Sequence, residues 1–407
     1  MINFDRKLPD WIDSFIKYTE NTEPPLMFRK WTAISVIAAA LQRKCRIEWG
    51  TSLTFYPNMY IVLVGPTATG KGTAMSPGLD ILEDLKHVKI AANSTTHQAL
   101  IHRLKETNYS DPDLDSGEIQ MHSSMTIFSK EFTVFLGYGN KEMMSILCDW
   151  YDCDRHWSYE TISRKVEELV GVWVNLYGGT TPELIQSSMP IDAIGGGLSG
   201  RIIYIFEEKK GKLVTLPMQT DLDRELYQHL LNDLEKIYML SGKFKYSDDF
   251  MREWDSWCRY ADTNPPFKNS KFDGYLGRRR AHIMKLSMIM CVSRQKKEDQ
   301  MTLDVEDFER AVSTLEEAEV KMQLVFRGVG KSDLSSLMSK STMFFVDSIV
   351  DEIPYQQYAQ HFQSDMDKNV MERILKTLEA VGLIKIIHRA QSEPILKIVD
   401  RGAAKNY

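Results

Sequence analysis

The stretch YIVLVGPTATGKGTAM, residues 60–75, narrows the possible folds more than any other part of the chain. Tyr60 to Val64 is an uninterrupted apolar run, the mark of a short strand buried on both faces. It leads into Gly65-Pro66-Thr67-Ala68-Thr69-Gly70-Lys71-Gly72-Thr73, after which a helix begins. Glycines let the backbone turn its N–H groups inward, and at a helix N-terminus this makes a concave anion site. Lys71 adds a point charge suited to the β- and γ-phosphates of a nucleotide. The bland alternative is a Gly/Thr-rich turn with a solvated lysine. The strand–loop–helix context argues for nucleotide binding, so ATP and Mg2+ are the expected cofactors. Gly72 stands where a hydroxyl residue usually follows the lysine, which leaves Thr73 as the candidate metal ligand.

Beyond this loop, short apolar runs alternate with amphipathic segments of helix length. VKIAA (88–92), MTIFS (125–129), VGVWVNLY (170–177) and RIIYIF (201–206) join YIVLV as five strands of an α/β core with a mainly parallel sheet, spanning residues 57–217. The acidic stretch NYSDPDLDSGEIQ, residues 108–120, reads as a surface loop. Residues 1–56 form a helical N-terminal segment, broken at EPP and closed by the short strand CRIEW. Past Pro217 each long segment carries a helical apolar stripe, so residues 218–330 read as a helical lid subdomain. KSDLSSLMSKS falls in a linker at 331–342, and residues 343–407 follow the order helix, helix, helix, strand, turn, strand, which resembles a winged helix.

Composition removes several classes. No apolar run approaches the roughly 18 residues of a membrane span, and WTAISVIAAAL, closed by QRKCR, reads as a buried helix. The charged beginning MINFDRKLPDW is unlike a signal peptide, so the expected location is cytoplasmic. Five scattered cysteines, with Cys148 and Cys153 in no zinc-knuckle spacing, fit a reduced interior better than a metal or disulfide framework. A net charge of −6 excludes a globally basic nucleic-acid coat and leaves room only for basic residues gathered in a channel or on one face.

Hydrolysis of a nucleoside triphosphate needs a carboxylate to position the attacking water, at the end of a strand beside the loop. Glu131, just after MTIFS, is the candidate base, although Lys130 stands where an aspartate commonly precedes it. Metal binding would then draw on Thr73, on Asp149 or Asp152, or on water. Asn175, with Thr180 or Thr181, is a candidate for the γ-phosphate or the water, against the simpler reading of Thr181-Pro182-Glu183 as a helix cap. Arg201, presented by GGGLSGR, is a candidate to reach a neighbouring subunit's nucleotide, with a salt bridge as the alternative. Arg278, first of three arginines in GRRR, is a candidate phosphate contact from the lid. Lys209, Lys210 and Lys212 are candidate DNA contacts, or a solvated charged tip.

Taken together, FRKWTAISVIAAAL, GPTATGKGTA, NSTTHQALIHRL, FSKEF, LCDWYDC, YGGTTPELI and GGGLSGRIIYIF resemble a largely uncharacterised family of phage and mobile-element P-loop proteins associated with helicases or primases. The resemblance covers roughly residues 25–330 and implies an AAA+-like ATPase core. It implies a homo-oligomeric ring, most simply a hexameric DNA helicase, working on single-stranded DNA or a fork with other replication proteins in a host cytoplasm. GKGT also resembles the loop of small nucleotide kinases such as adenylate kinase, so a nucleotide or small-molecule kinase is one alternative. A helicase loader or initiator switch with weak hydrolysis, suggested by Lys130, is the other.

Overall fold

A computed structural model describes residues 6–92, 95–113, 116–161, 164–188, 195–295, 301–326, 333–388 and 393–400. The chain forms two compact units, residues 1–327 and 328–407. Among the described residues no helix is long and apolar enough to cross a membrane.

In the first unit, helix α1 (Trp11–Tyr18) starts on Asp10, whose side chain accepts the N–H of Asp13. The Pro24-Pro25 break ends the connection, and α2 (Leu26–Leu41) begins directly after it. Helix α2 is apolar almost all round and is buried along its length, as such a helix must be. It anchors two later stretches of chain: the Thr32 hydroxyl donates to the Ala74 carbonyl at 3.0 Å and meets the Tyr177 hydroxyl at 2.6 Å. A hairpin of β1 (Cys45–Trp49) and β2 (Leu53–Phe55) precedes the main sheet.

That sheet contains β3 (Tyr60–Val64), β4 (Asn108–Pro112), β5 (Ile119–Ser129), β8 (Val172–Thr180) and β9 (Ile202–Phe206) in the order β4-β5-β8-β3-β9. Strands β5, β8, β3 and β9 run parallel to one another, while β4 is antiparallel to β5, so the sheet is mixed. Between β5 and β8 lie α5 (Phe132–Leu136), α6 (Lys141–Tyr151) and the hairpin β6 (His156–Thr161)–β7 (Arg164–Val170). Strands β3, β8 and β9 are buried at every position, which is why each reads as a continuous apolar run.

Two expectations are corrected at the sheet's edge. VKIAA is not a strand: Ile90 makes one isolated parallel bridge to Thr126. The acidic stretch expected as a loop supplies strand β4, and Gly117 before β5 adopts φ +72°. Only alternate residues of β4 are partly covered, and Pro112 lacks a donor, as an edge position tolerates. Its one-sided burial gave no continuous apolar signal.

Helix α3 (Lys71–Leu85) follows β3, α4 (His97–Glu106) precedes β4, and α7 (Pro182–Ser188) follows β8. Past β9 come α8 (Asp221–Tyr238), α9 (Asp248–Thr263), α10 (Asp273–Leu276), α11 (Arg279–Ser293) and α12 (Val305–Met322). These helices belong to the same compact unit as the sheet. Helix α8 is tied to the N-terminal segment, since the Trp11 indole donates to the Leu230 carbonyl at 2.9 Å and Asp233 accepts from Arg6 and from the Lys7 and Leu8 amides.

The second unit contains α13 (Asp333–Val346), α14 (Tyr355–Phe362) and α15 (Lys368–Ala380). They pack on an antiparallel sheet of order β13 (Glu352–Pro354)-β15 (Ile395–Ile398)-β14 (Ile384–Ile387). The serine-rich stretch expected as a linker is helical from Asp333, and Ser341 reaches the Tyr358 hydroxyl at 2.7 Å. Phe345, Ile353, Phe362, Ile374 and Leu396 fill the core of this unit.

Candidate functional site

Because β3, β5, β8 and β9 are parallel, the loops after them emerge at one edge, where open α/β sheets place ligands. The Gly65–Thr73 loop is among them. The Gly65 amide donates to the Thr180 carbonyl at 3.4 Å, and a Cβ at Gly65 would collide with the Glu207 carbonyl. The chain then turns through Ala68 (φ +68°) and Gly70 (φ +86°), and Thr69 closes back on the Pro66 carbonyl through its hydroxyl at 2.9 Å. Gly70 caps α3, whose first N–H groups have no intrahelical acceptors. A Cβ on Gly72 would have only the Lys130 Cδ nearby, at 3.9 Å, so the mouth of the loop is open on that side. A Cβ on Gly70, by contrast, would press on Pro24 at 3.2 Å.

Lys71 is half-buried and folds over the loop, donating to the carbonyls of Gly65 (2.7 Å) and Pro66 (2.9 Å). Burial lowers its pKa, and Glu131 and Glu183 oppose that shift, so both carboxylates face its charge. The tip of β8 passes beneath it: a Cβ on Gly179 would stand 3.2 Å from the Lys130 carbonyl and 3.6 Å from the Lys71 Cβ. The two glycines of YGGT are therefore required by close approach, since a Cβ on Gly178 would press on Phe132 at 2.9 Å.

Glu131 follows β5 and occupies the N-cap position of α5, yet its side chain makes no capping bond and is exposed. Lys130 crosses to α3 and donates to the Ser76 hydroxyl at 3.0 Å. Thr73 is exposed on the first turn of α3. Thr180 is buried with its hydroxyl 3.4 Å from that of Thr133, and the Thr181 hydroxyl accepts the Leu184 amide at 3.4 Å, the cap that the sequence suggested. Glu183 was legible only as part of that cap. A carboxylate soon after a strand tip was the signal for a second acid beside Lys71.

Other candidates stand elsewhere. Asn175 lies inside β8, fully buried, accepting the Met59 amide at 3.0 Å and donating to the Ser35 carbonyl at 3.2 Å. Five residues separate it from the tip at Thr180, roughly 16 Å at strand rise, so it braces β8 against α2 and does not reach the loop. Arg201 precedes β9, and the register pairs Ile202 with Tyr60, so it stands at the opposite end of the sheet. There it donates to Asp152 at 2.5 Å and to the Gly197 carbonyl at 3.1 Å. Burial works against its charge, and the Asp152 carboxylate more than offsets this, leaving its pKa raised.

Arg278 belongs to that same far end: it donates to the Gly274 carbonyl at 3.1 Å and acts with Arg201 on Cys148 and Tyr151. It is not a contact of the Lys71 loop. Arg279 is buried against Glu319 at 2.7 Å, and Arg280 reaches Asp262 at the surface. Asp149 and Asp152 flank Tyr151, whose carbonyl accepts from Asn58 just before β3, so these acids also stand at the far end and cannot serve Thr73. Lys209, Lys210 and Lys212 follow β9 at the loop's edge of the sheet. Lys209 is exposed, Lys210 pairs with Glu23 at 2.5 Å, and the Gly211 amide donates to the Glu23 carbonyl at 2.9 Å.

Among the described residues no group of three or more His, Cys, Asp or Glu side chains converges as a metal centre. A Mg2+ ion held largely by phosphates and water asks for only one or two protein ligands. No protein-family model matches the chain, and no curated protein matches it.

Proposed function

We propose that this chain is an ATP-driven motor acting on DNA, with an AAA+-like core that works as a homo-oligomeric ring, most simply a replicative helicase. The observation that carries the reading is Lys71 at the head of α3, lodged between the tips of β3 and β8 and faced by Glu131 and Glu183. The loop fits a triphosphate tail: a glycine-shaped turn, unsatisfied N–H groups at the start of a long helix, and a cation at its rim.

Bound Mg2+-ATP supplies a phosphoryl group whose transfer to water releases the driving energy. Lys71 exchanges its hold on the Gly65 and Pro66 carbonyls for phosphate oxygens, so in the present conformation it keeps the loop closed on itself. Glu131, exposed and free of any cap, orients water as general base, and Glu183 shares the neutralisation of Lys71. Thr73, exposed on the first turn of α3, would supply a hydroxyl to the Mg2+ that accompanies the phosphates. Arg201 stands too far from its own loop and acts on the loop of an adjacent copy, where such an arginine stabilises transition-state charge.

Unit 328–407 follows the winged-helix order. Along α15, Lys368, Arg373 and Lys376 alternate with Glu372 and Glu379, so this face is near neutral and suits packing on protein better than phosphate-led DNA binding. The Lys130–Ser76 bond favours a second reading, a nucleotide switch with weak hydrolysis, because a cation occupies the place of a metal-binding aspartate. The kinase reading loses its arginine-lined lid, since Arg279 is bound to Glu319 and Arg278 stands far from Lys71.

The deciding experiment measures ATP turnover with and without single-stranded DNA. Turnover stimulated by DNA and abolished in Lys71→Ala is expected. Turnover indifferent to DNA, or phosphate passed to a small-molecule acceptor, would overturn the motor.

A further inference from the structure

Two buried cations of the first unit have anions of their own: Arg279 meets Glu319 and Arg6 meets Asp233. Lys285 in α11 differs. It is 4% exposed, and among the described residues no carboxylate stands within ion-pair reach of its ammonium. Its Nζ donates to the Asn58 Oδ1 at 2.7 Å and lies 3.7 Å from the centre of the Tyr151 ring. An ammonium carries three donors, and burying a charge is costly unless an anion meets it. Asp152, the nearby acid, directs its carboxylate to Arg201.

Lys285 also forms one wall of a half-open cavity of about 150 Å³, with Thr54, Tyr56, Asn58, Tyr151 and Asp152 among its other walls. Arg43 stands behind Tyr56, donating to its hydroxyl at 2.9 Å and to the Cys153 carbonyl at 2.8 Å. The Tyr56 oxygen accepts that bond, so its own proton is left free to donate to another group. The Arg43 Nε is buried with no partner. One buried ammonium and one tyrosine thus border the same small space, with Arg43 behind the tyrosine.

We infer that this cavity binds a small free oxyanion, a phosphate or carboxylate group, with Lys285 as its charge partner and the Tyr56 hydroxyl as its hydrogen-bond donor. The volume lies well below the roughly 300 Å³ at which pockets for larger organic ligands begin, so a whole nucleotide is excluded. The site stands at the end of the sheet remote from Lys71, and it holds whether or not that loop takes ATP. Burial holds the Lys285 pKa down to about 8, opposed by Cys153 and Asp152 and reinforced by Arg201, and an entering anion relieves the cost of the charge. Among the described residues, Tyr56, His282, Cys153 and Tyr151 also stand around it, and burial disfavours the charged form of each. Affinity for an anion therefore falls as pH rises through about 8.

The test titrates inorganic phosphate into the full chain carrying Lys71→Ala, which removes the other anion seat, with calorimetry and phosphorus NMR line width as readouts. Phosphate binding that persists there, weakens about tenfold in a Tyr56→Phe background, as loss of a hydrogen bond to a charged group implies, and disappears with Lys285→Met supports the site. Tyr56→Phe keeps the ring, so the test does not depend on Lys285→Met folding. Absence of phosphate binding in Lys71→Ala, indifference to Tyr56→Phe, or displacement of phosphate by a short single-stranded oligonucleotide overturns a free-anion site here.

Discussion

The two ends of the central sheet carry opposite designs. At the end where β3, β5 and β8 finish, one lysine is held by its own loop and faced by two exposed carboxylates, and little there is sealed. At the end where β3 and β9 begin, Arg201, Arg278 and Lys285 gather around Tyr151 and Asp152, with Lys285 and Tyr151 buried and Arg201 tied to the exposed Asp152. At the first end the cation is held by carbonyls of its own loop, while at the second Arg201 is held by a carboxylate and Lys285 by an amide oxygen. The lesson is that residues which look like parts of one catalytic set in the sequence are divided by the length of a strand, roughly 16 Å for five residues.

Lys71→Ala should remove ATP turnover altogether while leaving the thermal midpoint nearly unmoved, since the side chain hydrogen-bonds only within its own loop. Steady-state phosphate release and a melting curve check both halves, and a large loss of stability would erase the contrast with the buried end. Arg201→Ala should lower turnover by about 10³-fold or more if it acts across copies. Mixing it with Glu131→Gln chains should then restore part of the activity, because a mixed interface recovers one intact site. Activity that stays lost in the mixture would place Arg201 within its own subunit. Glu131→Gln alone should cost about 10²- to 10⁴-fold in turnover with nucleotide binding retained, as read by a fluorescent analogue.

Asn175→Ala should do the reverse of these. It leaves the Met59 amide and Ser35 carbonyl unmet in the interior, at a cost of about 1–3 kcal/mol of stability, with turnover per folded molecule unchanged. A loss of turnover without a loss of stability would return Asn175 to the site. The smallest effect concerns pH. Burial holds Lys285 at about 8 against 10.5 when unfolded, so between these values the unfolded chain binds the extra proton. This group therefore adds stability as pH climbs from about 8 toward 10.5, and the melting curve of Lys285→Met should lack that rise.

How much of this was legible depended on where burial leaves a trace in the sequence. Strands β3, β8 and β9 are covered on both faces, so their apolar runs announced them. The loop and Glu131 were legible because each comes directly after such a run. Strand β4 was not, because an edge strand with one covered side can be written in acidic and polar residues. Motif spacing also says nothing of strand direction. Arg201 and Asn175 neighbour the right strands, but only the parallel register shows which end each occupies. The strand expected to end at Tyr177 runs on through Gly178 and Gly179, which puts the tip at Thr180 and Glu183 close behind it. Lys285 left no trace at all, since α11 is buried almost throughout and its polar members carry no periodic signal.

The contact between Pro24 and Gly70 has a mechanical consequence. Glu23 holds the amide of Gly211 and the ammonium of Lys210, while its neighbour Pro24 rests on the loop and Pro25 opens α2. Three distant stretches of chain are thereby hinged on a three-residue pivot. A loop that reshapes around Gly70 would press on Pro24, and through residues 23–25 that displacement has a direct route to α2 and to the segment after β9.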